Sequence, residues 1–503
     1  MSALGTALAT ALAPELGTAL APGFAFFQGM GDGMQGMGGG GGAEMRMGRD
    51  LALLAPQIAV ALTAVGALVF EMLRLPKVAL PFAVVGLLVA AGLAVPLLGT
   101  ETSVFSETYR VDNLSLWAVL VLAPTTALSA VLARPEVGGT DREGTVYALL
   151  VFTTLGALVL AGAGDLMFVV LGVLLSSLGS FALAAYPRDD RATEGATKFL
   201  VFGSVTSAVM IFGLTYWYGA TGSTLLSDLG RLEGMPLPAA FGLLAALVGL
   251  GYKASVAPFH FWAPDAYDGA PISVAAYLSI VPKVGAIFGL AQIVRDLPAV
   301  LAGGVLGWPA VVAVLAVLSM TYGNLAGLVQ ENVVRLLAYS SIAQAGYFLI
   351  GVVAFGRGDL ALPSLVVFAA AYAAMNIGAF AVVALAGRNL RDFAGLGRSR
   401  PAAGAAMVVF LISLVGIPPL GGFVGKFLLF VAAIEAGYAW LAVVGRLNSV
   451  VSLAVYLRIV APMYGRAKVT PASPPPVAAV WAVALALTVG VGLAAQIILG
   501  GIA

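Results

Sequence analysis

The chain has 503 residues, 61% hydrophobic and only 10% charged, with a mean hydropathy of +1.02, a formal net charge of +1, one histidine and no cysteine. That composition excludes an ordinary water-soluble domain, and a near-neutral charge without a basic cluster argues against nucleic acid as a partner. Without thiols there are no disulfides or thiolate metal sites, and a single histidine argues against a haem, iron–sulfur or zinc centre.

Residues 1–50 read as an extension ahead of a membrane domain, 51–503. No Lys or Arg precedes Arg46, so the positive region of a secretory signal is missing. An Ala/Leu/Gly stretch broken at Pro14 and Pro22 leads into a Met/Gly tract, 29–42, whose glycine density reads as a flexible linker. Two accounts stay open: a mobile extension outside the membrane, or a working chain that begins near Met45 or Met47.

From 51 onward the apolar runs are continuous rather than alternating, which selects membrane helices over barrel strands. They predict an all-α polytopic membrane protein with spans at 51–73, 78–99, 113–133, 144–164, 165–186, 196–218, 239–261, 272–294, 304–329, 333–355, 361–386, 402–437, 439–464 and 477–499. The longest connection, Gly219 to Leu237, is about nineteen residues and leaves no room for a soluble catalytic domain. Chemistry is therefore expected within the membrane or on a partner. Basic residues concentrate in the loops after odd-numbered spans, from Arg74 and Lys77 through Arg398 and Arg400 to Arg466 and Lys468. The opposite side holds Arg46, Arg49, Arg110, Arg231, Arg295 and Arg357. Positive-inside bias then places the odd loops in the cytoplasm and both termini outside.

Two spans are interrupted. Span seven carries Lys253, then Pro258, His260, Pro264 and Asp265, and each proline removes a helical donor. Span twelve carries Gly416, Pro418, Pro419, Gly421 and Gly422 midway, then Lys426. Non-helical backbone at membrane depth survives only where protein or water covers it, and paired breaks mark inverted repeats with an ion site at the break. The breaks are five spans apart, so two five-helix repeats, spans 4–8 and 9–13, are expected with opposite topology.

Lys253, Lys283 and Lys426 lie too deep in these spans to reach an interface by snorkelling, and no acid sits at comparable depth beside them. An intramembrane charge costs roughly 2.5–3.5 kcal/mol on insertion scales, so the default reading is a proton or ion path. A set of neighbouring buried amines titrates jointly, which suits a relay. His260 suits proton transfer at an entrance or between Lys253 and Lys283, or else a packing role. Asp265, Tyr267 and Asp268 read as a polar turn that caps and positions span eight. Gln344, with Ser340, Ser341 and Tyr347, reads either as a water-holding link or as interhelical glue.

Gly251-Tyr252-Lys253 through Pro258, His260, Trp262, Pro264-Asp265, Tyr267, Gly269 and Pro271, followed by Lys283, resembles the signature of the subunit N family of bacterial NADH-quinone oxidoreductase, respiratory complex I. Gly323-Asn324, Arg335, Tyr339-Ser340-Ser341, Asn376, Gly416 to Lys426, and Asn448-Ser449 with Tyr456 and Arg458 match as well, over about 50–465. Lysine rather than glutamate at 426, and no long lateral C-terminal helix, separate it from the M-type and L-type sisters. The resemblance implies a non-redox subunit of a translocase of EC 7.1.1 type, in the cell membrane, that moves protons when quinone is reduced elsewhere. It assigns the protonatable centre to Lys253, the link to Lys283 and delivery to the outside to Lys426, with His260 on the same polar axis. It implies no cofactor on this chain, with quinone, FMN and iron–sulfur clusters in partner subunits, and M-type and small K-type neighbours.

One departure stands out. The family's span-five glutamate, which pairs with the span-seven lysine, falls on Leu174, and the nearest acid on that span, Asp165, is ~13 Å away along a helix axis. Either another group replaces it, with Ser176 and Ser177 at hand to hold a water, or this copy pumps differently or not at all. A cation/proton antiporter subunit and a membrane-bound hydrogenase pump subunit are the competing readings.

Overall fold

In hydrocarbon every backbone amide must be paired within its own segment, so an apolar run of membrane length becomes a helix almost regardless of its side chains. The computed structural model describes residues 41–298, 301, 307–465 and 473–500. The chain divides after Ala55. On the N-terminal side Gly41–Leu53 is helical, and the rest of the expected extension, 1–40, lies outside the described residues.

The membrane helices are α1 (Ala55–Met72), α2 (Pro76–Ala94), α3 (Asn113–Val137), α4 (Glu143–Ala161), α5 (Leu166–Ala184), α6 (Asp190–Thr221), α7 (Pro236–Lys253), the short α8 (Ala263–Gly269), α9 (Ile272–Arg295), α10 (Trp308–Gly327), α11 (Val333–Ala354), α12 (Ala361–Ala386), α13 (Pro401–Val415), α14 (Gly421–Glu435), α15 (Ala439–Met463) and α16 (Pro475–Leu493). Among the described residues 13 helices are long and apolar enough to cross a membrane. The remaining expected span is the pair α13 and α14, of 15 residues each.

Both breaks are present. Helix α7 stops at Lys253, short of the expected 261, because Pro258 withholds a donor and its ring disfavours helix before it. Ser255 turns through a positive φ of 58° there. Between α13 and α14, Gly416 adopts φ 93° as a left-handed cap. A Cβ on Gly416 would lie 3.0 Å from Cδ of Lys426, so the glycine also makes room for that side chain. Helix α6 begins earlier than expected, at Asp190, because the Asp189 carboxylate accepts from the amide of Ala192 at 2.8 Å. A small antiparallel hairpin, β1 (Thr102–Val104) with β2 (Tyr109–Val111), lies in what read as a plain loop. Its turn places Phe105, Ser106 and Glu107 at positive φ without a glycine, so no turn signal announced it.

The helices are unequally buried, and the inequality places the site. Over their membrane windows α9 is 100% buried and α11 and α12 are each 94%, against 33% for α6 and 22% for α16. Polar groups on α9, α11 and α12 therefore face protein. Close packing there rests on small residues. A Cβ on Gly285 of α9 would come within 2.7 Å of the Cβ of Ala157 on α4. Gly285→Ala is expected to push these helices apart at a cost of roughly 1–2 kcal/mol, visible as a lower melting temperature of the solubilised complex; an unchanged melt would refute the tight contact.

Candidate functional site

Each broken helix ends in carbonyls that no helical amide can reach, and a lysine stands near each end. Lys253, 1% exposed, is the last residue of α7, and its Nζ donates to Oγ of Ser177 on α5 at 3.0 Å. Lys426, 2% exposed, donates to the carbonyls of Leu414 at 2.7 Å and Val415 at 3.2 Å, the last two residues of α13. A helix C-terminus is the negative end of its dipole, so a cation is favoured there. Lys283, fully buried on the unbroken α9, donates to both the carbonyl and the hydroxyl of Ser341 on α11. Among the described residues no carboxylate lies within ion-pair distance of any of the three.

Hydroxyls and amides link the amines. The Tyr372 hydroxyl donates to Ser341 Oγ at 3.1 Å and Asn376 Nδ2 to the Tyr372 oxygen at 3.3 Å, on α12. Asn376 also donates to Ser279, one turn before Lys283. On the other side of α11, Ser340 shares a hydrogen bond of 2.6 Å with Tyr456 of α15. Gln344 Nε2 reaches the Tyr456 oxygen at 3.3 Å and the Leu414 carbonyl at 3.2 Å, the same carbonyl that Lys426 uses. Two adjacent serines thus join the surroundings of Lys283 to those of Lys426. Toward Lys253, the Tyr267 hydroxyl has the Ser255 and Ser341 side chains beside it without good hydrogen-bond geometry to either.

Several buried polar atoms along this line have no protein partner: Ser255 Oγ, Tyr267 Oη, Asn376 Oδ1, Gln344 Oε1 and Ser176 Oγ. A buried polar group left dry costs about 1–3 kcal/mol, so these atoms mark where water would gather. The opposite chemistry lies on the even-loop side of Lys253 and Lys283. There a small pocket of ≈ 10 Å³ is walled by apolar groups, among them Leu247, Leu250, Val256, Ile287, Leu290 and Leu315. Space so lined offers a water no hydrogen-bond partner.

At the odd-loop side an open cleft of ≈ 400 Å³ is lined by Arg191, Glu194, Asp265, Asp268, Asn332 and Arg335 among others. Asp265 binds Lys198 of α6 at 2.6 Å and Arg335 of α11 at 2.5 Å. Asp268 accepts from Asn332 at 2.7 Å, and its carbonyl accepts from Arg388 at 2.7 Å. These two acids were expected to cap α9, and they do not: the α9 amides of Ile272 and Ser273 go to Glu136 of α3, at 2.8 and 3.0 Å. They clip α8 to α6 and α11 instead: both acids lie within α8, where Lys198, Arg335 and Asn332 hold their carboxylates.

Of the expected residues, then, the structure joins Lys283 and Lys426 through Ser340, Ser341 and Gln344, and sets Lys253 against Ser177. His260 is 4% exposed, packed with its ring 4.5 Å from that of Tyr322 and 4.9 Å from Phe261, its Nδ1 unpartnered; it makes no hydrogen bond to either lysine. Leu174 is 41% exposed on the bundle surface, and Asp165 is committed to capping α5 through the amides of Met167 and Phe168. Sequence reasoning overlooked Tyr372 and Tyr456 as linking groups. Polar residues spaced i, i+4 on otherwise apolar helices, Tyr372 with Asn376 and Ser279 with Lys283, were the available signal.

Residues 163–452 match the family profile described as NADH:quinone oxidoreductase/Mrp antiporter, transmembrane. The chain is 41% identical over 376 residues, 74% of its length and 79% of the relative's, to NADH-quinone oxidoreductase subunit N of Mycobacterium sp. (strain JLS). It resembles a chain of respiratory complex I from Thermus thermophilus with bound aureothin, with TM-score 0.77 and 30% identity, covering 88% of this chain and 98% of that one. A chain of the Mrp complex from Dietzia sp. DQ12-45-1b shares the fold alone, with TM-score 0.77 at 21% identity, covering 90% of this chain and 96% of that one.

Proposed function

Because the chain belongs to the family of NADH-quinone oxidoreductase subunit N, the antiporter-like membrane subunits of complex I, we propose that it carries protons along the buried amines just described. It is a multi-pass, proton-translocating membrane subunit whose partners are other subunits of that complex. The observation that carries the lysine assignment is a pair of hydrogen-bonded groups, Lys283 with Ser341 and Ser340 with Tyr456, Gln344 and the Leu414 carbonyl held by Lys426, which meet at the adjacent residues Ser340 and Ser341 of α11.

A proton would enter from the odd-loop cleft, which the positive-inside bias assigns to the cytoplasm, pass Lys253 and its Ser177 partner, and move to Lys283. The apolar lining on the far side of both lysines offers a proton no polar partner, whereas polar groups lead sideways to Lys426, which sits on α14, the half-helix running toward the even-loop side. His260, buried with a free Nδ1 at the break of span seven, is assigned to the entrance. Ser177 takes the place of the expected glutamate as the hydrogen-bond partner of Lys253. In this reading the chain is the non-redox translocase subunit of EC 7.1.1 type, lies in the cell membrane with both termini outside and contacts an M-type and a K-type neighbour. FMN, iron–sulfur clusters and quinone belong to other subunits, whose quinone reduction drives the transfer. The antiporter and hydrogenase-pump readings are not favoured, since identity is 41% to subunit N against 21% to the Mrp chain.

Lys426→Met tests the assignment. In vesicles holding the assembled complex, the variant is expected to keep NADH oxidation in the presence of an uncoupler and to move fewer protons per electron. Unchanged protons per electron would remove Lys426 from the path.

A further inference from the structure

An aromatic ring stands over each of the three lysines, at unequal distances. Lys253 Nζ lies 5.9 Å from the centroid of Phe199, Lys283 Nζ 6.0 Å from that of Tyr372, and Lys426 Nζ 3.8 Å from that of Tyr347. The negative face of a ring attracts a cation, and the attraction grows at close range and where water is excluded. Tyr347 is fully buried, and Lys426 is 2% exposed.

Lys426 is therefore seated between two electron-rich surfaces. The carbonyls of Leu414 and Val415 hold its Nζ from one direction, and the face of Tyr347 covers it from another. The ring attracts an ammonium far more than a neutral amine, so the seat discriminates between the two forms. Tyr347 is itself fixed: its hydroxyl donates to the Gly445 carbonyl at 3.1 Å and shares a hydrogen bond of 2.9 Å with Ser449, both on α15. Burial strips the ammonium of water, so these carbonyls and this ring face are the partners that stand in for it.

We propose that Tyr347 is a positioning residue that retains the protonated form of Lys426 through its ring face, making Lys426 the storage point before release. The proposal rests on Lys426 being a relay group. It assigns to Tyr347 a function distinct from the water-holding or packing roles that its sequence context suggested.

The test uses the assembled complex in vesicles, with Tyr347 replaced by Phe and then by phenylalanines bearing one, two and three ring fluorines. These keep the ring's shape while progressively weakening its negative face. Tyr347→Phe is expected to pump near the native rate. Along the series the logarithm of the proton-pumping rate is expected to fall in even steps, roughly tenfold in all, while NADH oxidation with uncoupler stays constant. A series without slope, at the native level or at an already inactive Tyr347→Phe, overturns the proposal. Lys426→Met separates the two failures. If it pumps normally, the relay reading falls and takes this proposal with it; if it moves fewer protons per electron and the series is flat, only the role of Tyr347 falls.

Discussion

Lys283→Met is expected to abolish proton translocation while leaving the subunit folded, and to leave it no less stable. Lys283 is fully buried, and its amine hydrogen-bonds Ser341, which in turn receives the Tyr372 hydroxyl. Methionine has a similar volume and fills the same channel of space between α9 and α11, so no cavity opens. What disappears is a buried polar group that hydroxyl and carbonyl oxygens satisfy without a counter-charge. Replacing buried charges with apolar side chains of similar volume is often neutral or stabilising, by about 1–4 kcal/mol. The expected pair of results is thus a vanished pH gradient in vesicles driven by NADH and an equal or higher melting temperature for the complex. A normal gradient would show that protons pass by another route. A sharply lower melting temperature would show Lys283 to be a structural strut.

Asp265→Ala is expected to loosen the odd-loop cleft at a cost of roughly 1–2 kcal/mol, since two charge-assisted hydrogen bonds are lost and half-buried Arg335 loses its ion pair, while Lys198 keeps Glu194. Lys198 on α6 and Arg335 on α11 meet on this one carboxylate of α8, so its loss uncouples three elements at once. Burial pushes the Asp265 carboxyl up, but the hydrogen bonds and charges of Lys198 and Arg335 outweigh it and hold the group below the usual carboxylate range. A group whose folded value lies below its unfolded one contributes stability that is present above the unfolded pKa, about 3.9 for Asp, and lost as pH falls through the folded value. Native complex should therefore shed part of its stability on acidification below about pH 4, and Asp265→Asn should lack that part. Parallel melting curves for the two proteins across that window would remove Asp265 as the anchor.

The proposed path also has a counterpart for the missing span-five carboxylate. Leu174 faces outward, and Ser177, one turn further along α5, meets Lys253 at 3.0 Å. A hydroxyl can accept from an ammonium and donate to a neutral amine, so it supports both states of Lys253 where a carboxylate would favour only the charged one.

What the sequence by itself determined is the part governed by the solvent. Continuous apolar runs had to become helices because hydrocarbon offers the backbone no other partner, and Pro258, and Pro418–Pro419 set among glycines, marked the two interruptions, although Pro282 inside α9 shows that a lone proline need not break a helix. Lys253, Lys283 and Lys426 stood out for the same reason: a charge at that depth is too costly to be incidental. Tertiary structure alone decided which groups those lysines meet. Ser341, Tyr372, Tyr456 and Gln344 come from α11, α12 and α15, and their spacing along the chain says nothing of the hydrogen bonds they make across helices. Nor did the spacing reveal that Glu136 rather than Asp265 serves the start of α9, or that His260 turns to Tyr322. Helix formation is satisfied within each segment, whereas a hydrogen bond between helices depends on rotation and crossing, which only the packing of all of them together fixes.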